Sequence, residues 1–274
     1  MKLLYLIADQ PVAPSVAAFI AKVTRQTSSS LHVLAAASNN RFRNEVEEGQ
    51  SVLEEEFAGL DYSVTAVDGD PLELLLKELD REQYEMVLMG VHRRRNLVPS
   101  NFRRMSNRII RQSPVPIMLV RRVSSRFERM LICTGNMESA KEVVQLSAKL
   151  AGTANMKATL LNVAGAVPSM YTGLGEMEET IEELLATDTP LAQQLRRCAA
   201  RLTEHDIEAE IEIRHGDVVE AILEEATEGK YDLIVLGETG ARELRGMLMG
   251  NVTQQIINRA ASAVLVFKPD ENGE

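Results

Sequence analysis

The feature that most constrains this chain is a duplication. The run Gly69-Asp70-Pro71 through Tyr84-Glu85-Met86-Val87-Leu88-Met89-Gly90 reads like Gly216-Asp217-Val218 through Tyr231-Asp232-Leu233-Ile234-Val235-Leu236-Gly237, at a constant offset of 147. The register then holds without a gap: Ile109-Ile110 fall on Ile256-Ile257, and Pro116 to Val120 fall on Ala263 to Phe267. At the front of each copy, Leu3 to Asp9 read against Arg129 to Gly135 at an offset of 126. The difference assigns the second copy an insertion of 21 residues after its second strand. A repeated pattern demands a repeated supersecondary unit. With 274 residues, 45% of them hydrophobic, the chain can fill two domain cores. The expected domains are residues 1–123 and 129–270, joined by a polar stretch over 121–129 that contains Ser124-Ser125.

Within each copy, short apolar runs alternate with longer amphipathic stretches, the mark of strand–helix–strand units in a parallel sheet. In the second copy the pattern predicts strands over 130–134, 158–163, 209–214, 233–237 and 263–267. Helices are predicted over 138–151, 176–204, 218–228 and 252–260. The first copy repeats this scheme with a shorter second crossover. Parallel crossovers are right-handed, so the fold class is α/β, with two tandem doubly wound five-stranded parallel sheets whose ligands collect at the carboxyl ends of the strands.

Composition excludes several functions. The longest apolar runs, such as Leu3 to Ala8, are too short to cross a bilayer, and the amino terminus lacks a basic stretch followed by a cleavable apolar one. Two distant cysteines, Cys133 and Cys198, fit a reducing compartment, and the expected location is cytoplasmic. His32, His92, His205 and His215 are scattered without metal-ligand spacing. There is no Gly-x-Ser-x-Gly elbow and no glycine-rich loop ending in Lys-Ser/Thr. No catalytic constellation is legible, and Asp70 and Asp217 read as helix caps before they read as acids.

Gly237 and Gly240 lie three apart, nine residues separate them from Gly250, and Asn251 follows at the start of a helical pattern. Backbone amides left bare by glycines beside a helix start are suited to binding phosphate. The run Gly237-Glu238-Thr239-Gly240, nine residues, Gly250-Asn251-Val252-Thr253, and a last strand Val264-Leu265-Val266 resembles the nucleotide-binding signature of the universal stress protein family. The resemblance covers nearly the whole chain as two tandem copies and implies a Rossmann-like fold of the adenine nucleotide alpha hydrolase type. It also implies ATP as ligand, with or without magnesium. Gly237 and Gly240 would let the polyphosphate approach the backbone, and Gly250 and Asn251 would offer amides at the positive end of the last helix. The base would lie near Thr134 and meet backbone groups of Val163. Asn251 stands where the family pattern carries Ser or Thr, and keeps a short polar capping side chain with Gln254 three residues on. The family's first-strand aspartate is matched by Gly135. The inserted segment, with Gly165, Pro168, Gly173 and Gly175, reads equally as a lid or as a plain surface loop.

The first copy departs from the signature. It keeps Gly90, but Arg93 stands at the register of Gly240, Arg103 at Gly250 and Arg104 at Asn251. Long charged side chains would fill the phosphate space, so ATP is expected in the carboxyl-terminal half only. The arginines of segment 93–111 form a cationic block whose role the sequence leaves open. Residues 1–123 hold 16 basic and 15 acidic side chains, a net +1, against −11 for the remainder. The absence of aromatic interleaving argues against nucleic acid as partner, and a solvated or acid-paired face is the plainer reading. The functional expectation is a non-catalytic, ATP-responsive stress or signalling protein. Two alternatives stand beside it. One is a nucleotide-free interaction module, an intramolecular pseudo-dimer paired through edge strands 117–120 and 264–267, with homodimerisation left open. The other is a weak ATP hydrolase using Arg242 or Arg245.

Overall fold

The computed structural model describes residues 1–8, 11–37, 49–90, 100–120, 126–134, 140–164, 181–237 and 251–267. The first repeat runs β1 (Lys2–Ala8), α1 (Pro14–Gln26), β2 (Ser30–Ala37), α2 (Gln50–Glu56), β3 (Tyr62–Asp68), α3 (Pro71–Arg81), β4 (Met86–Gly90), α4 (Ser100–Gln112) and β5 (Ile117–Val120). The second runs β6 (Arg129–Cys133), α5 (Ala140–Ala154), β7 (Lys157–Ala164), α6 (Ile181–Ala186), α7 (Pro190–Thr203), β8 (Ala209–His215), α8 (Val218–Glu228), β9 (Leu233–Gly237), α9 (Asn251–Arg259) and β10 (Ala263–Phe267).

Contacts divide the chain into two compact units, and the division does not follow the repeats. The first unit holds Met1–Phe127 together with Ala261–Asp270, and the second holds Glu128–Ala260 with Glu271–Glu274. In the first unit the strands lie in the order β3-β2-β1-β4-β5-β10. β1 through β5 are parallel, and β10 is antiparallel to β5, pairing Val264 with Leu119, Leu265 with Met118 and Val266 with Ile117. At the repeat offset of 147, Met118 faces its own counterpart Leu265, Leu119 faces the counterpart of Ile117 and Ile117 that of Leu119, so the pairing is self-complementary. In the second unit the order is β9-β6-β7-β8, all parallel. The central strands are buried nearly end to end, as strands covered on both faces must be: Leu3 to Ala8 in β1, and Leu233 to Leu236 in β9.

Strand register corrects the sequence alignment at the front of the repeats. Leu3 pairs with Met86 and Met130 with Leu233, and Met86 and Leu233 are themselves 147 apart. Leu3 therefore corresponds to Met130 at an offset of 127 rather than 126. Leu31 opposite Tyr62 and Ala158 opposite Ala209 locate the insertion between β7 and β8 and give it 20 residues, not 21. A one-residue slip reverses every side chain in a strand, so pairing decides what apolar similarity could not. Asp9 then matches Asn136, and Gly135 matches Ala8.

Local chemistry repeats as well. Asp70 caps α3 by accepting from the backbone N–H of Leu72 and Glu73, at 3.0 and 3.1 Å. Asp217 caps α8 through Val219 and Glu220, both at 3.0 Å. The glycine ahead of each cap has positive φ, +152° at Gly69 and +119° at Gly216, a conformation that explains the two Gly-Asp pairs. In each unit a tyrosine donates to a buried glutamate, Tyr84 to Glu78 at 2.7 Å and Tyr231 to Glu225 at 3.2 Å. A cation lies over each ring: the Lys2 ammonium is 4.9 Å from the Tyr84 centroid and the Arg129 guanidinium 5.1 Å from that of Tyr231. One predicted helix is two: Pro190 cannot continue α6, and Thr189 caps the new helix by accepting from Ala192.

Candidate functional site

The chain leaves β6 for β7 and β8 on one side and returns to β9 on the other, so β6 lies at the switch point of the second unit. A crevice outside the carboxyl ends at such a point is where open α/β sheets take ligands. Four of the expected residues belong there by topology. Thr134 directly follows β6, Val163 pairs with Arg214 one residue before the β7–β8 ladder ends, Gly237 ends β9, and Asn251 opens α9. Gly240 and Gly250 lie outside the described residues, as do Arg242, Arg245, Gly135 and the glycines of the insertion.

Thr134 is 3% exposed, and its polar groups are engaged. Its backbone N–H donates to the Leu161 carbonyl at 2.8 Å, and its hydroxyl donates to the same oxygen at 3.1 Å. The Thr134 carbonyl accepts from Nδ2 of Asn162 at 2.9 Å. Asn162 is the residue that sequence reasoning missed. It fastens the end of β6 to β7 where the ladder stops, and its one visible signal was an amide inside the apolar run Thr159-Leu160-Leu161-Asn162-Val163. Thr134 is thus spent on tying the end of β6 to β7, while Val163 and Gly237, both half-buried, leave part of themselves to solvent.

Helix α9 is held from its far end. Arg259 in its last turn forks onto Glu220 of α8, donating at 2.5 and 2.6 Å, and this pairing holds the Glu220 carboxyl below its ordinary range. The repeat positions in the first unit are Gln112 and Glu73, so that fork is specific to the second copy.

The first unit offers a different surface at the same place. Ile7 replaces Thr134, Ala35 replaces Asn162 and Ala36 replaces Val163. The crevice lined by Tyr5, Ile7, Pro11, Ala13, Val16 and Gly90 measures about 10 Å³. Ligand pockets run to roughly 300 Å³ or more, far above this volume. A Cβ added to Gly90 would lie 2.6 Å from Cγ1 of Val16, so this glycine exists to let α1 close down on β4. Arg103 and Arg104 are exposed on α4.

Nothing among the described residues gathers three or more possible metal ligands. Burial pushes the thiols of Cys133 and Cys198 above their usual range, away from the reactive thiolate. None of the described helices is long and apolar enough to cross a membrane.

An open doubly wound sheet, duplicated, is the build of a tandem Rossmann-like protein. The universal stress protein family model matches residues 1–121 and again residues 126–268, and the chain belongs to that family. It is similar to the universal stress protein E homolog of Haemophilus influenzae, 23% identical over 211 residues, which span 72% of this chain and 66% of that one. A universal stress protein of Methanocaldococcus jannaschii is 25% identical over 150 residues, 55% of this chain and 87% of that one. Among solved structures, a universal stress protein from Archaeoglobus fulgidus superposes with a TM-score of 0.73 at 18% identity, covering 97% of this chain and 98% of that one. At that identity the likeness establishes the fold, and it extends over both repeats.

Proposed function

We propose that this is a non-catalytic, ATP-responsive universal stress protein whose second unit alone takes the nucleotide, with or without magnesium. The observation that carries the reading is the contrast between the two switch points. One has Gly237 ending β9 and a helix start at Asn251, and the other has a crevice of about 10 Å³ packed by Val16 with arginines at the register of the phosphate glycines. In this reading Gly237, Gly240 and Gly250 let the triphosphate approach the backbone, and the amides opening α9 meet its charge. Thr134 and Asn162 set the wall against which the base rests, and Val163 offers backbone groups to it. Binding orders the 237–251 segment and thereby changes which protein partner the second unit accepts. The expected setting is the cytoplasm, where ATP is abundant.

Isothermal titration of the purified chain with ATP and magnesium, beside mass spectrometry of small molecules released on denaturation, tests this. One nucleotide per chain, weakened about a hundredfold by Gly240→Arg and untouched by Arg93→Gly, supports it. No bound or titratable adenine nucleotide would sink it in favour of the second reading, an interaction module that works as a pseudo-dimer without nucleotide. The self-complementary antiparallel pairing of β5 and β10 favours that reading.

A further inference from the structure

The second unit holds a polar cavity that the nucleotide reading leaves unused. It lies between α5 and α7, which pack on one another, and measures about 300 Å³, with Gln145, Arg201, Glu204 and His205 around it. Ligand pockets begin at roughly that volume. The last turns of α5 and α7 lead into β7 and β8, so they lie by the amino ends of those strands, away from the crevice at the carboxyl ends. The two helix ends meet there: a Cβ added to Gly152 would stand 3.7 Å from the His205 carbonyl oxygen. Gln145 belongs to the second copy alone, since the repeat position in the first is Ala18.

Two charges of the lining lack the partners that similar charges find elsewhere. Arg201 is half-buried, yet it makes no hydrogen bond or ion pair among the described residues, and the group that feels its charge is the Cys198 thiol, which burial keeps neutral. Other arginines do reach carboxylates: Arg196 reaches Asp188, Arg214 reaches Glu225 and Glu228, and Arg259 reaches Glu220. The nearest comparison is Arg81 with Glu78, which also stand three apart on one helix and meet at 3.1 Å. Arg201 and Glu204 have the same spacing and do not pair; they border the cavity instead. Glu204 also caps the carboxyl-terminal end of α7, where the helix dipole disfavours a carboxylate. The frame around them is fixed. The Glu204 N–H donates to the Ala200 carbonyl at 2.9 Å, the chain turns at Asp206 with φ +59°, and the Ile207 N–H returns to the Leu202 carbonyl at 3.0 Å.

We propose that this cavity binds a small zwitterion of the amino-acid class, a molecule that carries one carboxylate and one ammonium group. The Arg201 guanidinium takes the carboxylate, since its planar fork meets that group with two parallel hydrogen bonds, and the Gln145 side-chain amide adds a donor beside it. Glu204 takes the ammonium, whose charge also offsets the carbonyl end of α7. A ligand of single charge satisfies one side and leaves the other as it was. Phosphate fits less well, because its two negative charges would face the Glu204 carboxylate.

The test titrates the full chain with L-alanine and with L-glutamine, following the Gln145 side-chain amide and the His205 ring by nuclear magnetic resonance. Both signals are expected to move and to saturate. Arg201→Gln and Glu204→Gln should each weaken binding by about tenfold or more. Propionate, which lacks the ammonium, should depend on Arg201 and not on Glu204, and ethylamine should do the reverse. The protein without ligand gives a further readout. Glu204→Gln is expected to raise the melting temperature, because it removes a carboxylate from the negative end of a helix, as residues held for binding rather than stability do. A fall in that temperature would mean that Arg201 and Glu204 serve one another, and it overturns the proposal. So do signals that neither amino acid moves, affinity that is equal in the parent and both variants, or displacement of the amino acid by ATP, which would merge this site with the crevice. None of the variants touches the glycine loop, so this test stands or falls apart from the nucleotide reading.

Discussion

The two switch points of this molecule come from one ancestral pattern and have diverged in opposite ways. In the first unit Ile7, Ala35 and Val16 fill the place with apolar atoms, and Gly90 serves to bring helix and strand together. In the second, the Thr134 hydroxyl donates to the Leu161 carbonyl and the Asn162 amide donates to the Thr134 carbonyl, and α9 opens beyond Gly237. The same glycine position, 90 and 237, therefore carries two different constraints. A conserved spacing within a chain does not certify a conserved role, and only the surroundings of the glycine tell packing from ligand approach.

The comparison can be broken most forcefully by making the second unit resemble the first. Gly240→Arg should lower ATP affinity by about a hundredfold, roughly 2.7 kcal/mol, in a calorimetric titration, with the far-ultraviolet circular dichroism unchanged. Retained affinity would show that the glycine loop does not hold the phosphates. Next in size is Gly90→Ala, whose new methyl meets Val16 at 2.6 Å. Overpacking of this kind costs about 1–3 kcal/mol, so the midpoint of urea unfolding should drop, and Val16→Ala in the same chain should recover part of it. Asn162→Ala copies Ala35 and strips the Thr134 carbonyl of its partner. Leaving that buried acceptor unmet is worth about 1–3 kcal/mol, and hydrogen exchange at Thr134 should accelerate relative to the amides of β1.

The smallest effect concerns His32, which stands where the second unit has Thr159. Burial pushes the His32 pKa below its ordinary value, against the raising influence of Glu78, while Lys2 and Arg81 add to the lowering and Glu82 opposes it. The folded state thus favours the neutral ring. Its contribution to stability is fully present above about pH 6.5, the unfolded value, and is lost as the pH falls from there through the folded pKa. His32→Thr should flatten the acid limb of the melting-temperature profile, and an unchanged limb would locate the sensitivity elsewhere.

Much of the architecture was legible because apolar strands and Gly-Asp caps write themselves into local sequence. β9 and β10 fall on their predicted residues, and both caps form as read. Three features were not legible, each for a physical reason. The long second helix breaks at Pro190, where capping by Thr189 outweighs an otherwise continuous amphipathic pattern. The front register slipped by one because two apolar runs align almost as well either way, and only the hydrogen-bonded ladder distinguishes them. Asn162 was passed over because its importance lies in a carbonyl 28 residues away. Of the residues the resemblance assigns to the site, Thr134, Val163 and Gly237 fall at or beside strand ends and Asn251 at a helix start, while Gly240 and Gly250 rest on the sequence alone.

The final strand has a consequence for how this protein can be handled. Residues 261–270 are encoded by the second repeat yet counted among the contacts of the first unit, where β10 covers the open edge of β5. Cutting the gene at the sequence boundary would free the backbone donors and acceptors of Ile117–Val120, an apolar edge of the sort that seeds clumping. The amino-terminal half is therefore not a separable part: its last ladder is completed by a strand that the second repeat encodes, and it cannot be finished before that strand has been made.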